Sequence, residues 1–196
     1  MDAPALVALL QEAVPGARVE SAPSIDLQAT LYVSRDDVPA VARALRDRPE
    51  LGFALLVDIT AVDFWPREPR FELVYIVASI ERRLRARIKV RLPGGDARVA
   101  TVSGIWPAAN WLEREVWDLF GIVFDGHADL RRLLMPEDWT GHPLRKDYPV
   151  QIRMAARTTE PLQVTEEEFR ASVAKDRRVR PGSGPRRDSG GRGLPS

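Results

Sequence analysis

Side chains able to do acid–base or metal chemistry concentrate between residues 110 and 149. His127 begins a His-x-Asp with Asp129, and His142 follows; these are the chain's two histidines. Together they offer an imidazole and carboxylate set of the kind that holds zinc in a hydrolase, so a stand-alone metal hydrolase is one reading. The three lie in a proline-rich loop, whereas metal ligands usually sit on rigid elements with supporting hydrogen bonds. Loop hydrogen bonds or an interface are the plainer expectation for them. Glu113, Glu115 and Asp118 place carboxylates on one predicted helix, where burial of one member of a pair would suit it for proton transfer. Beside Arg114 they read more simply as a charged face or as ion pairs to a partner. In Leu144-Arg145-Lys146-Asp147-Tyr148-Pro149, Arg145 could hold a phosphate or carboxylate through two parallel hydrogen bonds. Arginine mixed with aromatics is also the composition of permanent interfaces. The chain has no Gly-rich phosphate loop, no G-x-G-x-x-G and no G-x-S-x-G, hence no nucleotide-binding or nucleophile signature.

Those residues need elements to position them. The chain has 196 residues, 44% of them hydrophobic, enough for one domain with appendages or for two small domains. Leu6, Leu9, Leu10 and Ala13 recur at helical spacing within residues 4–14, and Pro15-Gly16 ends that helix. Residues 26–33 alternate as a strand. Ser34 to Asp37 start a second helix whose buried stripe is Val38, Val41, Ala42 and Leu45. Strand-like runs follow at 53–62, 70–80 and 84–92, the last two joined through Glu81-Arg82-Arg83 as a hairpin. In the last, Leu84, Ala86, Ile88, Val90 and Leu92 alternate with Arg85, Arg87, Lys89 and Arg91, which predicts a half-buried antiparallel strand with a solvated cationic face. Residues 108–120 predict a helix with Leu112, Val116, Leu119 and Phe120 on its apolar face, Arg114 and Asp118 paired on the other, and Gly121 at its C-terminus. The fold class is α+β: a mixed or antiparallel sheet packed by helices over residues 1–120.

From 121 to 157 no period survives, yet Phe124, Leu130, Leu133, Leu134, Met135, Trp139, Leu144 and Tyr148 remain. Large apolar residues without periodicity suggest an extended segment that docks on a partner. Residues 158–196 predict a short helix opened by the Thr165 to Glu168 capping box, then a basic, disordered tail rich in Gly, Pro and Ser. Residues 170–196 carry 8 Lys or Arg against 2 Asp or Glu, and the rest carries 21 against 26. The basic tail and the strand at 84–92 make a nucleic-acid-binding module a third reading. There is no cysteine, which excludes disulfides, zinc thiolates and cysteine-ligated iron–sulfur clusters on this chain. No apolar run reaches the ~20 residues of a membrane span. The start, MDAPALVALLQEAVPG, has no basic region before its apolar stretch, so no signal peptide is expected.

The ordered series Glu113-Arg114-Glu115, Asp118-Leu119-Phe120-Gly121-Ile122, Gly126-His127, Asp129-Leu130-Arg131-Arg132, Glu137-Asp138-Trp139 and Gly141-His142-Pro143-Leu144-Arg145-Lys146-Asp147-Tyr148-Pro149 resembles the signature of the C-type subunit family of NADH:quinone oxidoreductase, the thirty-kilodalton (30 kDa) subunit of respiratory complex I. DITAVDF at 58–64 and FELVY at 71–75 are similar to that family too, while Ala128 departs from its usual proline. The resemblance implies a non-catalytic structural subunit of the peripheral arm, on the cytoplasmic face of the membrane. It implies no cofactor on this chain, with FMN, iron–sulfur clusters and quinone on partner subunits. It also implies packing against the quinone-site subunit and neighbouring cluster subunits, in an enzyme that couples electron transfer to proton translocation. The implied interface comprises Glu113, Arg114, Glu115, Asp118, Phe120, Gly121, His127, Asp129, Arg131, Arg132, Trp139, His142, Pro143, Arg145, Lys146, Asp147 and Tyr148. An equivalent subunit of a related membrane-bound hydrogenase or of a dehydrogenase with another donor fits the same resemblance.

Overall fold

A computed structural model describes residues 2–26, 28–149 and Glu167. The elements run α1 (Ala3–Ala13), β1 (Val19–Ser21), β2 (Ala29–Val33), a single 3-10 turn (Arg35–Asp37), α2 (Val38–Asp47), β3 (Leu55–Asp63), β4 (Phe71–Ser79), β5 (Leu84–Leu92), β6 (Arg98–Ala100), α3 (Ala109–Phe120) and β7 (Val123–Asp125). Five strands make a mixed sheet in the order β1-β2-β5-β4-β3, and β6 and β7 form a separate parallel pair. The pairing of β2 with β5 is parallel; the other three pairings of the large sheet are antiparallel. The α+β class expected from the sequence is the one observed.

The β4–β5 hairpin shows why the sheet has one covered face. Its register sets Leu73 opposite Val90, Tyr75 opposite Ile88 and Val77 opposite Ala86, all buried in one apolar cluster that α1, α2 and α3 also enter. Residues one position along face the other way, as the two-residue period of a strand requires. There the cations of β5 are largely answered: Arg87 meets Asp26 at 2.7 Å, Lys89 meets Glu72 at 2.7 Å, and Arg91 lies 3.8 Å over the Tyr32 ring. At the opposite margin, β3 is an edge strand with no strand partner on its outer side among the described residues. A bulge between Leu56 and Asp58 shifts its alternation, and Leu55, Val57 and Val62 stand exposed along it, followed by Phe64 and Trp65.

Three sequence expectations change in detail. The strand expected at 26–33 is β2 and starts at Ala29; it is preceded in the sheet by β1, which the sequence did not announce, and Leu27 lies outside the described residues. On α1 the buried residues are Leu6 and Leu10, with Leu9 and Ala13 partly covered. On α3 the expected apolar stripe is only half right: Val116 and Phe120 are buried, but so are Glu113, Arg114 and Asp118, while Leu112 and Leu119 are partly covered. The expected Arg114–Asp118 pair on a solvated face does not form, because both side chains are inside and bond elsewhere. The segment expected at 150–157 and the basic tail lie outside the described residues, apart from Glu167, which is helical and exposed.

Gly121 ends α3 in the left-handed region, with φ 73°. A Cβ there would meet the Arg145 guanidinium and the His142 ring at less than contact distance. Gly121→Ala therefore combines backbone strain with a clash. Urea unfolding of the full-length chain should show a loss of ~2 kcal/mol or more; an unchanged midpoint would mean that the two side chains swing aside freely.

Candidate functional site

Residues 126–149 contain no helix or strand, yet they share one compact unit with everything before them. Asp118 is the first anchor. Its side chain is fully buried. Oδ2 accepts the backbone N–H groups of Leu133, Leu134 and Met135 at 3.0, 2.8 and 2.9 Å, and Oδ1 accepts Arg132 Nη1 at 2.7 Å. Burial alone would raise its pKa; the three N–H bonds and Arg132 outweigh that and hold it below the usual value. Arg132 then extends the anchor by donating to the carbonyls of Trp139 and Gly141 at 2.6 and 3.1 Å. Arg114 donates to the Arg131 and Arg132 carbonyls at 3.2 and 3.0 Å and lies over the Trp111 ring.

The second anchor is the C-terminus of α3. The last carbonyls of any helix lack partners within it. Here His142 Nδ1 bonds the Asp118 carbonyl at 2.9 Å, the Leu144 N–H donates to Leu119 at 3.0 Å, and Arg145 donates to Phe120 at 2.5 Å and to Gly121 at 3.3 Å. Positive charge at this end also suits the helix dipole. Burial lowers the pKa of both His142 and Arg145.

The third anchor ties the segment to β3. Asp63, the last residue of that strand, is nearly fully buried. It accepts two hydrogen bonds from Arg70 at 3.0 and 2.8 Å, the Trp65 N–H at 2.9 Å and the Lys146 N–H at 2.9 Å. Arg70 also grips Asp147 at 3.0 and 2.6 Å. Burial acts to raise the Asp63 pKa, but Arg70 and the two N–H donors prevail and bring it to about 2. Trp139 and Tyr148 stack with centroids 6.5 Å apart, and the Tyr148 hydroxyl donates to the Thr140 carbonyl.

A third buried carboxyl near α3 has no such cation. Glu113 is fully buried; Oε1 accepts the Val102 N–H at 2.7 Å and Oε2 bonds the Thr101 hydroxyl. Burial pushes its pKa up to about 7. The His127 ring lies beside it.

Of the residues singled out from sequence, Glu113, Arg114, Asp118, Arg132, His142, Arg145, the Lys146 backbone and Asp147 are thus bound within the chain. Asp129 and Arg131 pair on the surface at 2.8 Å; Glu115 and Pro143 are partly exposed. The three metal candidates do not converge. His127 Nε2 bonds the Asn110 carbonyl in the first turn of α3 and His142 bonds the Asp118 carbonyl in its last, about 12 Å apart along a helix. Among the described residues no group of His, Asp or Glu side chains is gathered as a metal site. Sequence reasoning missed Asp63, Arg70 and Thr101. Asp63 had a signal, a carboxylate closing an apolar strand within DITAVDF; Arg70 and Thr101 had none.

The structure defines a class: an α+β domain whose helix α3 is wrapped and capped by an irregular segment held through buried arginine–carboxylate contacts. Residues 31–153 match the family described as "Respiratory-chain NADH dehydrogenase, 30 Kd subunit", and the chain belongs to that family. It is 48% identical over 124 residues to the C-type subunit of the NADH-quinone oxidoreductase of Geotalea uraniireducens, covering 63% of this chain and 74% of that one. It is 48% identical over 151 residues to the combined C/D-type subunit of the NADH-quinone oxidoreductase of Acidiphilium cryptum, covering 72% of this chain and 24% of that one. Among solved structures, a chain of the membrane-bound sulfane sulfur reductase, an archaeal respiratory membrane complex, superimposes with TM-score 0.63 at 27% identity over 95% of this chain and 97% of that one. The family is one of subunits of a respiratory oxidoreductase.

The lowered pKa of Asp63 gives a signed prediction. Its stabilising contribution is complete above the unfolded-state value near 4 and is lost as pH falls toward about 2. Asp63→Asn leaves Arg70 without its buried partner and should cost ~3 kcal/mol at neutral pH. The gap from the unsubstituted chain should close in urea titrations run at progressively lower pH; a gap independent of pH would mean that the Asp63 charge does not contribute.

Proposed function

We propose that this chain is a non-catalytic structural subunit of the peripheral arm of a proton-translocating NADH:quinone oxidoreductase, held on the cytoplasmic face of the membrane. In this reading it binds no cofactor itself. FMN, iron–sulfur clusters and quinone belong to its partners, and it packs against the quinone-site subunit and neighbouring cluster subunits. The observation that carries the reading is the use made of the signature residues. Asp118, Arg132, Arg145 and Asp147 fix the segment 126–149 on α3 and β3, and Leu134 and Leu144 on the segment and Trp111 on α3 stand exposed. Exposed large apolar residues on a rigid, polar-rimmed surface suit a permanent interface.

The fused C/D-type relative supports a partner of the D type, because fusion in one chain keeps two domains adjacent. Electron tunnelling and quinone chemistry depend on closely held partner geometry, and small misplacements of reacting groups are costly. A subunit that stiffens the assembly therefore contributes without touching substrate. The likeness to the sulfane sulfur reductase chain favours one second reading: the equivalent subunit of a related respiratory membrane complex with another electron donor or acceptor.

The test is an Arg132→Ala strain. Complex recovered from its membranes in mild detergent should fall several-fold in amount, while NADH:quinone activity per assembled complex stays near that of the parent. Fully assembled complex without quinone reduction would overturn the structural role. Co-purification with partners that do not oxidise NADH would select the second reading.

A further inference from the structure

Glu113 and His127 are buried side by side, with Oε2 and Nε2 3.9 Å apart and both side chains fully covered. They look like an ion pair, but the hydrogen bonds exclude one. The Asp129 N–H points at His127 Nδ1 at 3.1 Å. An N–H donates only to a bare ring nitrogen, so Nδ1 carries no proton. The ring proton is on Nε2 and goes to the Asn110 carbonyl at 3.1 Å. His127 is therefore neutral in this geometry. The other groups facing Glu113 offer no cation either. From β4 comes Tyr75, whose buried phenol is kept protonated by burial and by Glu113 itself. From the loop after β6 come Thr101 and Ser103. Arg114, the adjoining residue on α3, is engaged with the Arg131 and Arg132 carbonyls, and Asp118 with Arg132. A buried carboxylate with no cation is costly, and taking up a proton relieves the cost.

The hydroxyl chain beside it can deliver that proton. Thr101 Oγ1 accepts the Ser103 N–H at 3.1 Å, touches Ser103 Oγ at 2.8 Å and bonds Glu113 Oε2. With Glu113 ionised, Ser103 donates to Thr101 and Thr101 donates to Glu113. With Glu113 protonated, Glu113 donates to Thr101 and Thr101 donates to Ser103. Thr101, Glu113 and the Ser103 N–H keep their partners in both arrangements, and in the second the Ser103 hydroxyl turns to solvent, Ser103 being partly exposed. One proton entering from water at Ser103, a partly exposed residue, moves the Ser103 hydroxyl proton to Thr101 and the Thr101 proton to Glu113 Oε2. Charge and atoms balance.

We propose that Glu113 is a proton-binding site, filled through Thr101 and Ser103, whose proton latches the His127–Asp129 turn closed over the first turn of α3. Losing the proton leaves a buried charge whose nearest possible counter-ion is His127. Protonating Nδ1 to supply that counter-ion sets two N–H donors face to face and breaks the bond from Asp129. Either the charge stays uncompensated or the turn opens and water reaches the carboxylate. The turn leads directly into Arg131 and Arg132, so opening it loosens the start of the segment that Asp118 holds. The inference does not depend on the partner reading above.

Hydrogen exchange on the full-length chain tests it, with rates at residues 127–131 corrected for the intrinsic pH dependence of exchange. A raised folded-state pKa means that the protonated form is the stable one, so protection is fullest below the unfolded value of 4.5 and declines as pH rises to about 7. The decline should approach ten-fold per pH unit, the slope of one linked proton, and level off above that range. Glu113→Gln reproduces the protonated geometry, its amide donating to Thr101 and its carbonyl accepting from Val102, and should give a flat profile. In the unsubstituted chain the infrared band of a protonated carboxyl should vanish over the upper part of the same range. A carboxylate ionised throughout, or a decline that persists in Glu113→Gln, would overturn the proposal. If Glu113→Gln fails to fold, the Glu113 carboxyl carbon shift in 13C-labelled protein reads the same titration directly.

Discussion

Asp118 sits where two demands meet. Its carboxylate lies in the interior and needs donors; its carbonyl, in the last turn of α3, needs one as well. A stretch of chain without regular structure supplies both sets, three consecutive N–H groups and Arg132 to the side chain, His142 to the carbonyl. The segment in turn has few backbone partners of its own, and this is where Arg114 and Arg132 matter, since both donate to its carbonyls. Helix and segment satisfy each other's orphan groups. Removing either leaves the other with buried polar atoms facing nothing, a heavier penalty than the loss of a surface ion pair.

The elements that rest on local period were open to sequence reasoning. The alternation in β5 and the stripe of α2 were legible because one face of each meets the core and the other does not. α3 was misjudged for the same reason. Its apolar period is real, but Glu113, Arg114 and Asp118 are buried by a segment distant in sequence, and charge pattern alone cannot announce a cover that arrives later in the chain. Pairing Arg114 with Asp118 followed the four-residue rule for exposed helices, which tertiary donors override once the face is closed. The residues of the site were picked out by resemblance, while their roles, holding the chain to itself, came only from geometry. Arg70 and Thr101 were invisible, because an arginine before a strand and a threonine in a loop are common and only their partners make them matter.

The chain belongs to a family of respiratory-chain subunits, and several of its signature residues are engaged in contacts within the chain. Within the structure they bind the chain to itself: arginines whose planar fork serves two acceptors at once, carboxylates placed where backbone N–H groups converge, and Trp139 stacked on Tyr148 beside the Gly141 turn. Glu113 stands apart, being buried with hydroxyls rather than guanidinium groups. The same helix therefore carries one carboxyl held firmly ionised and another, little more than a turn away, biased toward its neutral form.

The open margin of the sheet has a bearing on supply. β3 ends the sheet with no strand partner on its outer side among the described residues, and Leu55, Val57 and Val62 stand exposed along it. Such a margin adheres to any other extended chain it meets. Its fate is a matter of timing and dose: molecules made faster than the margin is covered encounter each other, at a rate that rises with the square of their concentration. Production at a low level keeps that number small, and overproduction favours self-association and clearance of the surplus.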